Sequence, residues 1–236
     1  MPDYRSLEKQ FSEVLGMERR PVAISFVDAP PVGVAAFDGT VPSGCSFWRL
    51  AGQGRTFYTV EKDHYNCPIG SYTHNVALPP ERAAELTQTL SLMADIGYIR
   101  MDEIPDVFKL QKPPAVVMYA PLGETPVDPG VVVFTGRPAR IMLLVEAAGR
   151  AGIASKLPML ARPTCMAIPA ALAQGTVVSS GCIGNRIYTE LGEDELYAAV
   201  PGQHVERLAQ ELQTIVAANN ALTQYHQARL PLLVVK

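Results

Sequence analysis

A chain of 236 residues with 48% hydrophobic and 18% charged side chains can bury a sizeable core, and it is too apolar for wholesale disorder. A net charge of −3 and an isoelectric point near 5.8 leave no broad cationic field, which argues against nucleic-acid partners. The longest apolar runs, IMLLV and LPLLVV, fall far short of the roughly 20 residues of a membrane span, and MPDYRSLEKQFSEV lacks the apolar block of a secretory signal, so a cytoplasmic location without membrane contact is expected.

Leu7, Phe11, Val14 and Leu15 recur at helical spacing and predict a helix over 4–16, with Gly16 as its stop. PVAISFV (21–27), VGVAAFD (32–38) and RTFYTVE (55–61) read as strands. A proline-started helix runs from Pro80 to Asp95 and closes at Gly97. IPDVFKLQ (104–111) is ambiguous, PAVVMYAP (114–121) and GVVVFTG (130–136) are buried strands, and ARIMLLVEAAGRAG (139–152) is a helix. Helix is expected over 163–173, although Pro169 argues against an unbroken one. TVVSS (176–180) and ELYAAVP (195–201) are strands, 205–228 is a long amphipathic helix, and LPLLVV (230–235) is a last strand or docking tail. This order predicts an α+β fold with a mixed sheet and flanking helices. With no composition shift along the chain, 1–236 reads as a single compact domain.

Two stretches look alike. Cys45, LAGQG (50–54), Cys67-Pro68-Ile69-Gly70 and Tyr72-Thr73 parallel Cys165, ALAQG (171–175), Cys182-Ile183-Gly184 and Tyr188-Thr189. The cysteines lie 22 residues apart in the first stretch and 17 in the second, so gaps are needed, and short Gly-Ala matches also arise by chance. A true repeat implies two similar halves, 1–112 and 113–236 with the seam at Lys112-Pro113-Pro114, related by a pseudo-twofold. Such packing would bring all four cysteines together.

Those cysteines pose the main chemical question. In a reducing compartment a disulfide framework is not expected. No C-x-x-C occurs, which removes the thioredoxin motif and the zinc knuckle. Each cysteine sits beside turn formers, in PSGCSFW, HYNCPIG, RPTCMAIP and SSGCIGNR, whereas core cysteines belong to apolar strands and helices. Glycines at 44, 70, 181 and 184 permit tight turns and free amide N–H groups, which suit a buried anionic cluster. Four soft thiolates fit zinc or an iron–sulfur cluster. Without paired knuckles the balance tilts to a cluster, of the [4Fe–4S] type, with Cys45, Cys67, Cys165 and Cys182 as ligands. If only three ligate, the open iron can polarise a substrate oxygen. The plainer alternative is that some are inert loop thiols.

Three neighbours are candidates for holding the cofactor. His64 precedes Cys67 by three residues, Trp48 follows Cys45 by three, and Arg186 follows Cys182 by four. Each has an ordinary reading as well: a turn histidine, a core indole and a surface ion pair. GxGxxG, the P-loop, GxSxG and HExxH are all absent.

PVAISF, the isolated Cys45, HYNCPIG, PAVVMYAP, the isolated Cys165 and SSGCIGNR together resemble an uncharacterised prokaryotic family, domain of unknown function 169 (ArCR), across nearly the whole chain. The resemblance implies recurring cysteines at these positions and supplies no substrate. Three functions are consistent with the residues: an iron–sulfur protein, with redox or Lewis-acid chemistry on a small molecule or an electron-transfer partner; a structural zinc protein; and a small-molecule-binding regulatory module whose cysteines do not ligate. The apolar stripe of 205–228 and the tail suggest a homodimer.

Overall fold

The computed structural model describes residues 2–153, 155–156 and 159–230. Of the expected last strand or docking tail, 230–235, residues 231–235 lie outside the described residues. In chain order the elements are α1 (Tyr4–Leu15), β1 (Val22–Val27), α2 (Cys45–Gly52), β2 (Phe57–Thr59), α3 (Pro68–Thr73), α4 (Pro80–Asp95), β3 (Val116–Pro121), β4 (Val131–Gly136), α5 (Pro138–Arg150), α6 (Ala167–Gln174), β5 (Val177–Ser179), α7 (Ile183–Thr189), β6 (Leu196–Pro201) and α8 (Val205–Arg229), with short 3-10 turns between them. The architecture is α+β, a six-stranded sheet between two helical layers. Among the described residues no helix is long and apolar enough to cross a membrane.

Local chemistry sets the boundaries. Asp3 caps α1 by accepting from the Ser6 N–H, and Gly16 ends that helix at φ 58°, where a Cβ would be strained. Pro169 is the third residue of α6, where its missing N–H is not needed, so it is tolerated there. Residues 32–38, expected as a strand, contribute only an isolated bridge from Ala36 to Tyr58. The ambiguous 104–111 overlaps a 3-10 turn, Met101–Asp106.

The sheet order is β2-β3-β1-β4-β6-β5. The named strands pair antiparallel, and parallel contacts are confined to the isolated bridges Ala36–Tyr58 and Leu160–Ser179. Alternation sends side chains to opposite faces. Ala23, Val132, Phe134, Ala198 and Val200 face a layer holding Leu7 and Phe11 of α1, Leu144 of α5, and Leu208 and Leu212 of α8. Phe11 and Phe134 meet edge to face at 4.9 Å. Ile24, Phe57, Val117, Tyr119, Val133, Tyr197 and Ala199 face the other layer, which holds Cys45, Phe47 and Trp48 of α2 along with Cys165 and Ile168.

The strand order is unchanged when β1 is exchanged with β4, β3 with β6 and β2 with β5. Each set of three strands carries the same sequence of elements on the cysteine face. In the first unit β1, α2, β2, α3 and β3 follow in turn; in the second, β4, α6, β5, α7 and β6 do, with α5 added after β4. The matching LAGQG and ALAQG segments both close a helix, and their last glycines, Gly54 and Gly175, share a positive φ of 103° and 94°. The exchange makes β4, rather than β3, the counterpart of β1. The unit boundary therefore falls between β3 and β4, downstream of Lys112-Pro113-Pro114.

Candidate metal centre

All four cysteines stand where a helical segment begins. Cys45 is the first residue of α2, Cys67 and Cys182 are the N-caps of α3 and α7, and Cys165 lies in the 3-10 turn Thr164–Met166 that feeds α6. The first and second cysteine of one unit thus match those of the other. Cys45 and Cys165 are buried, each 4% exposed, while Cys67 and Cys182 are half-buried. None is in a disulfide.

The thiols lie within electrostatic reach of one another. Burial pushes the Cys45 thiol well above its ordinary value, and the charges of Cys165, Cys67 and Cys182 push it further, while Asn185 opposes the shift by hydrogen bonding. Cys165 is raised first by burial and then by Cys67, with the Thr73 hydroxyl opposing. Cys67 is raised by burial; the N–H groups of Gly44 and Gly70 offset this, the latter donating to Cys67 Sγ at 3.3 Å. Among the described residues no three of Cys, His, Asp and Glu stand close enough to share a single metal ion. One zinc would draw every sulfur to about 2.3 Å, whereas a cluster binds each thiolate through a different iron.

The cysteine face of the sheet also carries a shell of buried polar groups. Trp48 Nε1, Tyr119 Oη, Asn185 Oδ1 and His74 Nε2 are buried with no hydrogen-bond partner. Tyr119 is raised by burial and then by the charge of Cys45; the Thr59 hydroxyl opposes this, and Cys67 adds to it. The unpaired indole N–H and phenol O–H are donors, and buried donors cost free energy until they find an acceptor. Sulfide and thiolate are such acceptors, so the donor set fits an iron–sulfur cluster.

A histidine pair adjoins this shell. Thr59 donates to Val117 O at 3.2 Å, so the 2.9 Å contact between His64 Nε2 and Thr59 Oγ1 assigns the proton to Nε2. His74 Nδ1 lies 3.0 Å from Gly70 O and carries the proton there, leaving Nε2 a bare, buried lone pair. The rings are 5.6 Å apart. Burial, then the neighbouring His74 charge, drives His64 down to about 3. His74 is lowered by burial.

Of the three expected cofactor neighbours, Trp48 is buried edge-to-face against Tyr197 at 5.6 Å and keeps its free N–H. His64 is buried in the histidine pair. Arg186 is committed elsewhere: its guanidinium donates to the carbonyls of Gly192, Ser180 and Glu195 and fastens the loop after α7. His74, just after the Cys67 loop, is open to the same reading from sequence as His64, whereas Tyr119, Thr73 and Asn185 are not singled out there. Asn185 stands within GCIGNR, and Tyr119 alternates with Val117 onto the cysteine face, but neither pattern marks a site by itself. A separate cavity of about 440 Å³, with Lys156, Gln174, Gln203 and His204 in its wall, is lined from Pro129 to His204 and includes no cysteine.

The sheet repeats one strand pattern about its centre, and two cysteines accompany each repeat. The chain belongs to the DUF169 family, described as uncharacterised ArCR, whose model matches residues 10–211. No curated protein and no solved structure matches it.

Proposed function

We propose that this protein holds an iron–sulfur cluster of the [4Fe–4S] type on Cys45, Cys67, Cys165 and Cys182. The observation that supports the reading is that four thiols free of disulfides, two from each unit, two buried and two half-buried, lie within charge-interaction range of one another on a face that also holds unpartnered buried donors. When bound, such a cluster supplies one-electron redox chemistry or, at an iron with an open position, a Lewis acid. The chain's own contribution is to exclude water with Phe47, Trp48 and Tyr119, all buried. It also offers Gly70 N–H, Trp48 Nε1–H and Tyr119 Oη–H to sulfur. Neutral histidines beside the site add no positive charge to it. Free thiols in this number suit a reducing compartment, and we assign the protein to the cytoplasm on that ground.

The test is an anaerobic absorbance spectrum of untagged protein with iron, zinc and acid-labile sulfide counted per chain. Broad visible absorbance with matched iron and sulfide is the expected result. Zinc without sulfide, or protein free of metal when prepared without air, overturns the proposal.

A further inference from the structure

Besides α5 in the second unit, the two units differ by one large insertion in the first. In the second unit, residues 190–195 carry the chain from α7 to β6. In the first, an arm of residues 76–109 stands between α3 and β3, holding α4 and the 3-10 turn Met101–Asp106. None of the 16 residues of α4 is buried, and none of that turn. A helix of this length in a globular protein ordinarily buries a stripe. Here Leu92, Ile96 and Met101 are exposed. Segments with so little burial open at far lower cost than the core.

The arm is fastened at two latches and at a neck, where its ends also pack on the core through buried Val76 and through Val107 and Phe108. At the neck the Leu110 N–H donates to Thr73 O at 2.9 Å and the Asn75 side chain donates to Gln111 O at 3.3 Å. Asn75 itself holds a left-handed φ of 57°. One latch is Arg82, which donates to Asn66 Oδ1 at 3.1 Å, beside Cys67. The other is Arg162, three residues before Cys165; it donates to Glu103 at 3.2 Å and lies over the Tyr98 ring at 5.2 Å. The arm therefore ties the Cys67 loop of one unit to the Cys165 loop of the other. Both latches are partly solvated, the kind of contact that contributes little.

We propose that residues 76–109 form a lid that swings about the neck at Asn75 and Leu110 and controls access to the thiol site. Its location rests on the four-cysteine reading above, but not on which metal is bound. Closed, it bridges the loops of a half-buried and a buried cysteine. Open, it exposes the Cys67 side to a small molecule.

The test is hydrogen exchange on the whole protein, with alkylation of Cys67 and Cys182 by iodoacetamide in the metal-free form. Amides of α4 should exchange roughly 100-fold faster than those of β1 and β3. The double variant Arg82→Ala with Arg162→Ala should speed alkylation of Cys67 about tenfold with the core amides unchanged. Arg162→Lys, which keeps the pair with Glu103, should restore most of the protection. Exchange of α4 only through global unfolding, or alkylation that the latch variants leave unchanged, overturns the lid. Neither readout needs iron, so a protein without a cluster would sink the proposed cofactor and leave the lid standing.

Discussion

The Cys67 sulfur is placed by a glycine. A Cβ on Gly70 would stand 2.8 Å from Cys67 Sγ, a separation that real contacts do not reach. Gly70→Ala should therefore displace the thiol and lower iron bound per chain while the fold, followed by circular dichroism, survives. Cys45→Ser and Cys165→Ser, at the two buried ligand positions, should abolish visible absorbance; retention of full absorbance by either would remove that residue from the ligand set. His64 gives a pH dependence with a definite sign. Its folded pKa, about 3, lies below its ordinary 6.5, so the unfolded chain binds the proton more readily between those values. Stability from the neutral His64 is present above pH 6.5 and is lost as pH falls toward 3. Urea midpoints at pH 7 and pH 5 should differ in that direction, and His64→Phe should flatten the difference.

Among the elements, the sheet carries the stability. Phe134 on β4 is fully buried against Phe11, and Phe134→Ala should cost about 3–5 kcal/mol in urea unfolding. A similar truncation on α4, such as Leu92→Ala at an exposed position, should cost well under about 1 kcal/mol. Gly202→Ala drives a Cβ into the Pro129 backbone and should prevent soluble expression. The long helices and the central strands were legible because each sustains its period over several turns or a full buried run. The helices α2, α3 and α7 were not, since eight, six and seven residues hold too few turns to show a stripe. VGVAAFD has the composition of a strand, yet only Ala36 finds a partner. Strand composition cannot say whether an open sheet edge is at hand. The candidate site was legible through its cysteines, their turn-forming neighbours and the two histidines flanking Cys67. Tyr119 joins it only through tertiary packing. Arg186 has the charge for an anion partner, but three loop carbonyls hold it.

At the scale of the whole molecule, the proposed cofactor would join the two units, because each supplies two of its four ligands. Binding to the folded state alone raises stability by mass action. Stripping iron with a chelator under anaerobic conditions should lower Tm by several degrees, and the Cys45→Ser variant should show no such shift. An unchanged Tm in the wild-type chain would mean that the thiols fold without help from a metal.

A pair of equivalent units around one centre would present two interchangeable approaches. Here the histidine pair and the latched arm both belong to the first unit, whereas the second closes its side with the short loop fastened by Arg186. With the proposed lid on one unit alone, the proposed centre would have a front and a back: one side for traffic, the other a wall.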